Sequence, residues 1–220
     1  MDNSLGQQQS EFSNPNLEVF ISTEAIRQRI FELGHDIARE YAGRNPLIIG
    51  LHTGALPFLS DLIRATDIRL DIQFMEVLAG DQDYRGEIRI LKDLDIPIEG
   101  RHVVAVDVMV DNGLLQSYLL ANLESRGAAS VKLVAFLDIH ERREREVPID
   151  YLGFSIPDHT VVGYGVAFAE RYRNLPFIAV LKGSTDSQLV SQIESQQKTR
   201  PKPTKPVTAR SLPGLPIPSS

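Results

Sequence analysis

Asp107 and Asp111 stand four residues apart at the end of an apolar run, Val103-Val104-Ala105-Val106, and Gly113 follows the second acid by two positions. A buried strand that turns through an acid and a glycine into a helix is a seat for a phosphorylated ligand in an α/β protein. The first amides of the helix and its positive end attract the anion there. The turn reads Asp111-Asn112-Gly113-Leu114-Leu115. It keeps the backbone signals of a phosphate loop and lacks the hydroxyl side chains that would complete the cradle. A second glycine-bearing turn, His52-Thr53-Gly54-Ala55, follows another short apolar run and offers an imidazole that can donate to phosphate.

These residues need elements to hold them. Ser22 or Thr23 is placed to cap a helix. Ile26, Ile30, Leu33, Ile37 and Tyr41 then recur at helical spacing as far as Gly43. Residues 47–51 form a short apolar strand, and a second helix runs to about Ala65. Residues 70–78 read as one strand, 81–86 as a polar loop, and 87–91 as an edge or hairpin strand. Residues 103–106 are apolar throughout, as in a central parallel strand covered on both faces. A helix over 114–125, ended by Gly127, leads to a strand over 131–137. Short strands over 151–154 and 161–163, a helical turn over 168–172 and a closing strand over 177–181 complete the order. Alternating strands and helices predict an α/β fold with a mostly parallel sheet flanked by helices and right-handed crossovers.

The chain has 220 residues, enough for one domain with a sizeable core. Residues 1–16 are expected to be a disordered leader, 17–183 the folded domain, and 184–220 a flexible, basic, Pro-rich tail. That tail is either a solvated extension or a docking peptide for a polyproline-binding partner. A net charge of −6 supplies no basic field for nucleic acid. No apolar run reaches the ~20 residues of a membrane span. No cysteine is present, and the five histidines show no ligand spacing. The polar start of the chain lacks the layout of a signal peptide, so a cytoplasmic protein is expected.

The run Asp150-Tyr151-Leu152-Gly153-Phe154-Ser155-Ile156-Pro157-Asp158, with Val161-Val162-Gly163-Tyr164-Gly165 and Arg171-Tyr172-Arg173-Asn174-Leu175-Pro176, resembles the base-binding end of hypoxanthine-guanine phosphoribosyltransferases. Gly54-Ala55-Leu56-Pro57-Phe58-Leu59-Ser60-Asp61-Leu62 and Gly86-Glu87-Ile88-Arg89-Ile90-Leu91-Lys92-Asp93-Leu94 resemble the same family in the same order. The strand-turn-helix over 103–118 is similar to its diphosphate-sugar loop. The resemblance spans roughly residues 20–182. It implies a type I phosphoribosyltransferase fold with a small hood. It also implies transfer of ribose 5-phosphate from phosphoribosyl diphosphate to a purine, with magnesium, in a dimer or tetramer.

The same resemblance implies site residues, several of them altered. Asp107 takes the first of two acids that hold the ribose hydroxyls directly or through metal, and Val108 takes the second. Asp111 takes the place of the general base toward the purine. Asn112 and Leu115 replace two threonines whose hydroxyls bond the 5′-phosphate, and Gly113 is kept. Thr53, before Gly54, replaces a lysine that helps position diphosphate. Residues 78–81 replace a Ser-Ser-Tyr-Gly lid, and Asp81 adds a negative charge. Ile139 replaces the lysine that donates to the purine 6-oxo group, and Thr160 the aromatic that stacks on the base. Val161, whose backbone touches the base, is kept. Ala167 replaces an acid linked to the metal. Arg143 and Arg173 remain as partners for diphosphate or phosphate.

Each polar residue kept also has a purely structural reading. Asp111 can cap the helix that follows. Asp107 can be a turn acid at a strand end. Arg143 lies in a mixed-charge run, Arg142-Arg143-Glu144-Arg145-Glu146, of the kind that forms a solvated face. Arg173 can close a helix end. Framework residues match while contact residues differ, a pattern expected when a fold is kept for another use. The first functional expectation is therefore a family member with lost or strongly reduced transferase activity and a regulatory role. It would bind a purine nucleotide or a subunit, as a homo-oligomer or with a related chain. The alternative is an active salvage enzyme making nucleoside monophosphate from purine base and phosphoribosyl diphosphate. Each lost contact costs about tenfold in rate, ~1.4 kcal/mol.

Overall fold

In a computed structural model, residues 15–79, 88–168 and 170–182 are described. Along the chain they form β1 (Leu17–Ile21), α1 (Thr23–Glu40), β2 (Leu47–Gly50), α2 (Leu56–Ala65), β3 (Asp71–Phe74), β4 (Glu76–Ala79), β5 (Ile88–Lys92), β6 (His102–Val110), α3 (Leu114–Ser125), β7 (Ser130–Asp138), β8 (Tyr151–Ser155), β9 (Val161–Val162) and β10 (Ile178–Leu181). Residues 1–14, 80–87, 169 and 183–220 lie outside the described residues, and with them most of the expected leader, the polar loop expected over 81–86, residues 80 and 81 of the stretch that resembles a lid, and the expected tail.

Five strands pair in the order β3-β2-β6-β7-β8, every pair parallel. This is the expected sheet. Val103, Val104, Ala105 and Val106 are all fully buried, because the central strand is covered on both faces. On one face, α1 lays down Ile26, Ile30, Leu33 and Ile37 beside Phe58, Leu59 and Leu62 of α2. The Ser22 hydroxyl caps α1 by accepting from the Ala25 amide at 3.2 Å. A Cβ on Gly34 would lie 2.6 Å from the Ala65 backbone, so that glycine is what lets the two helices meet. On the other face, α3 packs Leu119, Leu120 and Leu123 against Leu133, Ala135, Val103 and Ala105. Truncating any of these leucines to alanine costs about 2–5 kcal/mol.

Two smaller sheets complete the fold. β1, β10 and β9 form an antiparallel hood, and β4 and β5 form a hairpin. β1 is an element that the sequence pattern did not single out. The strand expected over 70–78 is divided: the chain leaves the parallel sheet at Phe74, and Met75 is buried with its amide bonded to the Gly50 carbonyl at 2.9 Å. The helical turn expected over 168–172 is not formed. Phe168 and Arg171 instead exchange backbone hydrogen bonds in a tight antiparallel turn. Glu170 and Tyr172 have φ of 63° and 71°, which a right-handed helix does not accommodate. No helix among the described residues is long and apolar enough to cross a membrane.

Candidate functional site

The carboxyl ends of β2, β6 and β7 open on the same end of the sheet, where ligands of α/β proteins bind. β6 runs four residues beyond the apolar stretch read from the sequence, so Asp107 lies inside the strand and is not a turn acid. It is fully buried. One carboxylate oxygen, Oδ1, accepts from the Val108 amide at 2.7 Å and lies 2.8 Å from His52 Nε2. The other, Oδ2, accepts from Gln116 Nε2 at 2.8 Å. His52 Nδ1 accepts from the Gly54 amide at 2.9 Å, which leaves the ring hydrogen on Nε2, pointing at Asp107. Burial pushes the imidazole down, but its hydrogen bond to Asp107 and the charge there outweigh this and hold His52 above its ordinary value.

The first turn is gripped from the hood as well. Gly54 sits between the His52 ring and the Arg173 guanidinium, and a Cβ there would lie 2.6 Å from the ring. Arg173 Nη1 donates to the Gly165 carbonyl at 2.9 Å and Nη2 to Glu170 at 3.0 Å. Arg173 belongs to no helix, so the reading that it closes a helix end does not hold. Thr53 is exposed and begins a short 3-10 turn.

The second turn follows β6. Gly113 has φ of 79°, and a Cβ there would lie 2.2 Å from the Arg145 carbonyl, so only glycine fits. The Asn112 carbonyl accepts from the Glu144 and Arg145 amides at 3.0 and 2.9 Å, which ties the turn to the segment after β7. Asp111 does not cap α3. Its Oδ1 accepts from the Asn112 amide at 2.7 Å, and the N-cap is Gly113. Asn112 Oδ1 instead takes the Leu114 amide at 3.1 Å. Leu114 is exposed, and Leu115 packs partly buried against the core under α3.

Arg143 is not on a solvated face. Its side chain is 5% exposed and pairs with Asp138, while Nη1 is buried with no hydrogen-bond partner. It lies beside Gly113. A cationic donor left over next to a helix start fits an anionic ligand. Of the residues expected to face a base, Ile139 is 1% exposed and belongs to the core. Thr160 is half-buried with its carbonyl accepting from Leu181, Val161 is buried in β9, and Ala167 is half-buried. The sequence reading missed Gln116 and Asp138 as charge partners. An acid closing an apolar strand with an arginine five residues on was the available signal for Asp138; nothing local marked Gln116.

A magnesium ion held by the chain does not fit this arrangement. Asp107 is buried with both carboxylate oxygens engaged, and Val108 and Ala167 offer no side-chain oxygen. Among the described residues no three His, Asp or Glu side chains gather to hold a metal.

The phosphoribosyl transferase domain model matches residues 21–169. Hypoxanthine-guanine phosphoribosyltransferase of Bacillus subtilis is 44% identical over 167 residues, covering 75% of this chain and 93% of that protein. The chain belongs to the hypoxanthine phosphoribosyltransferase family. A crystal structure of hypoxanthine phosphoribosyltransferase from Staphylococcus aureus superposes with a TM-score of 0.76 at 35% identity, covering 80% of this chain and 97% of that one. The bifunctional protein TilS/HprT of Listeria monocytogenes is also 44% identical over 167 residues, and the chain spans 26% of its length. The α/β fold around the five-stranded parallel sheet is shared with these structural relatives.

Proposed function

We propose that the chain is a purine phosphoribosyltransferase that joins a purine base to phosphoribosyl diphosphate and releases diphosphate, at a rate reduced by its altered pocket. The observation that carries this reading is Asp111 at the end of β6, two residues before the left-handed Gly113 that opens α3. Relatives named hypoxanthine-guanine phosphoribosyltransferase, 37–44% identical over 167 residues, support it over full loss of transfer. In the reaction the purine nitrogen attacks C1′ of the ribose. The bond from C1′ to diphosphate breaks, with its electron pair leaving on diphosphate. Asp111 takes the proton that the purine loses. The α3 amides and Arg143 attract the 5′-phosphate, and Arg173 faces the departing diphosphate. A cytoplasmic setting and self-association belong to the same proposal.

A second reading, a silent relative that binds a nucleotide or a subunit, is favoured by one observation. The posts of two polar contacts to substrate are filled by Val108 and Ile139, each under 5% exposed and packed into the core. One assay separates the two. Purified chain with phosphoribosyl diphosphate, magnesium and each of hypoxanthine, guanine, xanthine and adenine is expected to release diphosphate with at least one 6-oxopurine. No release with any of the four supports the silent reading and overturns the first.

A further inference from the structure

Asp107 is the most deeply buried acid among the described residues, and the fold engages both of its carboxylate oxygens. Its carboxylate faces three donors: His52 Nε2–H and the Val108 amide on one oxygen, Gln116 Nε2–H on the other. None of these donors is free to leave cheaply. His52 is tied at its second nitrogen to Gly54, and the Gly54 carbonyl is covered by Gly165, where a Cβ would lie 2.0 Å away. Gln116 Nε2 also donates to the Met109 carbonyl at 3.2 Å. Magnesium asks for oxygens at about 2.0–2.1 Å in octahedral array and keeps several waters. To reach Asp107 it would have to displace His52 or Gln116 and bring water to a residue with no exposed surface.

We propose that His52 and Gln116 stand in for a cation, so that this pocket holds its phosphorylated ribose ligand without a divalent ion bound to the chain. The ligand in this proposal rests on the transferase-family reading; the statement about the cation does not. His52 satisfies the acid from the first turn and Gln116 from α3, and together they join β6 to both turns that surround the ligand. The specificity determinants for metal are thus two residues that touch no metal.

The test uses the full chain and manganese(II), followed by the relaxation of water protons. The wild type is expected to show no manganese site from which magnesium competes. His52→Leu removes one of the two donors on Asp107 Oδ1, leaving the Val108 amide, and Gln116→Leu removes the donor on Oδ2, so each is expected to gain such a site. The variants act from opposite sides, so one that fails to fold leaves the other to decide. A magnesium-competable site in the wild type overturns the proposal, and so does the absence of any gained site in a folded variant. A second arm follows thermal unfolding with inosine 5′-monophosphate. The rise in midpoint is expected to be the same in EDTA as in magnesium, and a rise that EDTA abolishes overturns the proposal. No rise in either buffer counts against the transferase reading, while manganese still decides the question of the cation.

Discussion

Gly165 of the hood lies directly on the carbonyl of Gly54, so close that a Cβ on Gly165 would sit 2.0 Å from that oxygen. The contact joins the hood to the first turn of the main sheet, and Arg173 reinforces it by donating to the Gly165 carbonyl. Gly165 also has φ of 96°, which a side chain makes costly. Gly165→Ala is therefore expected to lose about 2 kcal/mol or more, measured by urea unfolding. A loss under about 0.5 kcal/mol would mean that the hood is not seated on Gly54.

Arg143 and Asp138 form the most deeply buried ion pair among those described, with side chains 5% and 11% exposed. Removing one partner strands a charge in a place that water does not reach. Arg143→Ala is expected to cost about 3–5 kcal/mol, whereas a double replacement, Arg143→Met with Asp138→Leu, should be far milder. Equilibrium unfolding of the single and double variants measures the coupling. Equal losses in both would show that packing, and not charge, is what Arg143 contributes.

Much of the fold could be read from patterning. The apolar run at 103–106, the helical stripe ending at Tyr41 and the helix from Leu114 to Ser125 all lie where local sequence put them, because each buries a face set by its own period. β1 escaped notice because its residues alternate weakly and gain their partner, β10, from the far end of the domain. The site was legible as a set of positions. The partners within it were not. Arg143 reads as a surface charge until Asp138 is placed beside it, and His52 reads as a loop residue until β6 brings Asp107 within 2.8 Å. The His52–Asp107 contact joins residues 55 apart and leaves no local trace, whereas Asp138 lies only five residues before Arg143 and was signalled by its place at the end of an apolar strand.

The family resemblance puts Ile139 at the post of a lysine that reaches the purine, but its side chain is 1% exposed and packs in the main core. Restoring lysine there buries an ammonium. Ile139→Lys is expected to lose about 3 kcal/mol or more near neutral pH. Burial lowers the lysine's folded pKa, so the unfolded chain binds the extra proton up to about pH 10.4 and the penalty shrinks as pH rises toward that value. A substitution that leaves stability unchanged and raises 6-oxopurine turnover would instead place residue 139 in an open base site.

His52 supplies a pH dependence whose sign can be worked out. Its bond to Asp107 holds the imidazole above its ordinary value against the effect of burial, with the Arg173 charge pulling slightly down. A group raised in the folded state favours folding in its protonated form. That contribution is complete below the unfolded value of about 6.5 and disappears as pH rises through the folded one. The Gly54 amide limits its size, because protonating Nδ1 removes the acceptor that this amide uses. Wild-type stability, measured by thermal unfolding from pH 5 to 9, should therefore fall relative to His52→Gln as pH climbs above about 6.5. The Gln side chain can still donate to Asp107 but does not titrate, so folding is preserved and the pH-linked part alone is lost. Parallel curves for the two proteins would mean that the Gly54 bond cancels the pull of Asp107. Nitrogen chemical shifts of the imidazole add an independent check: at high pH the hydrogen should sit on Nε2, the one facing Asp107.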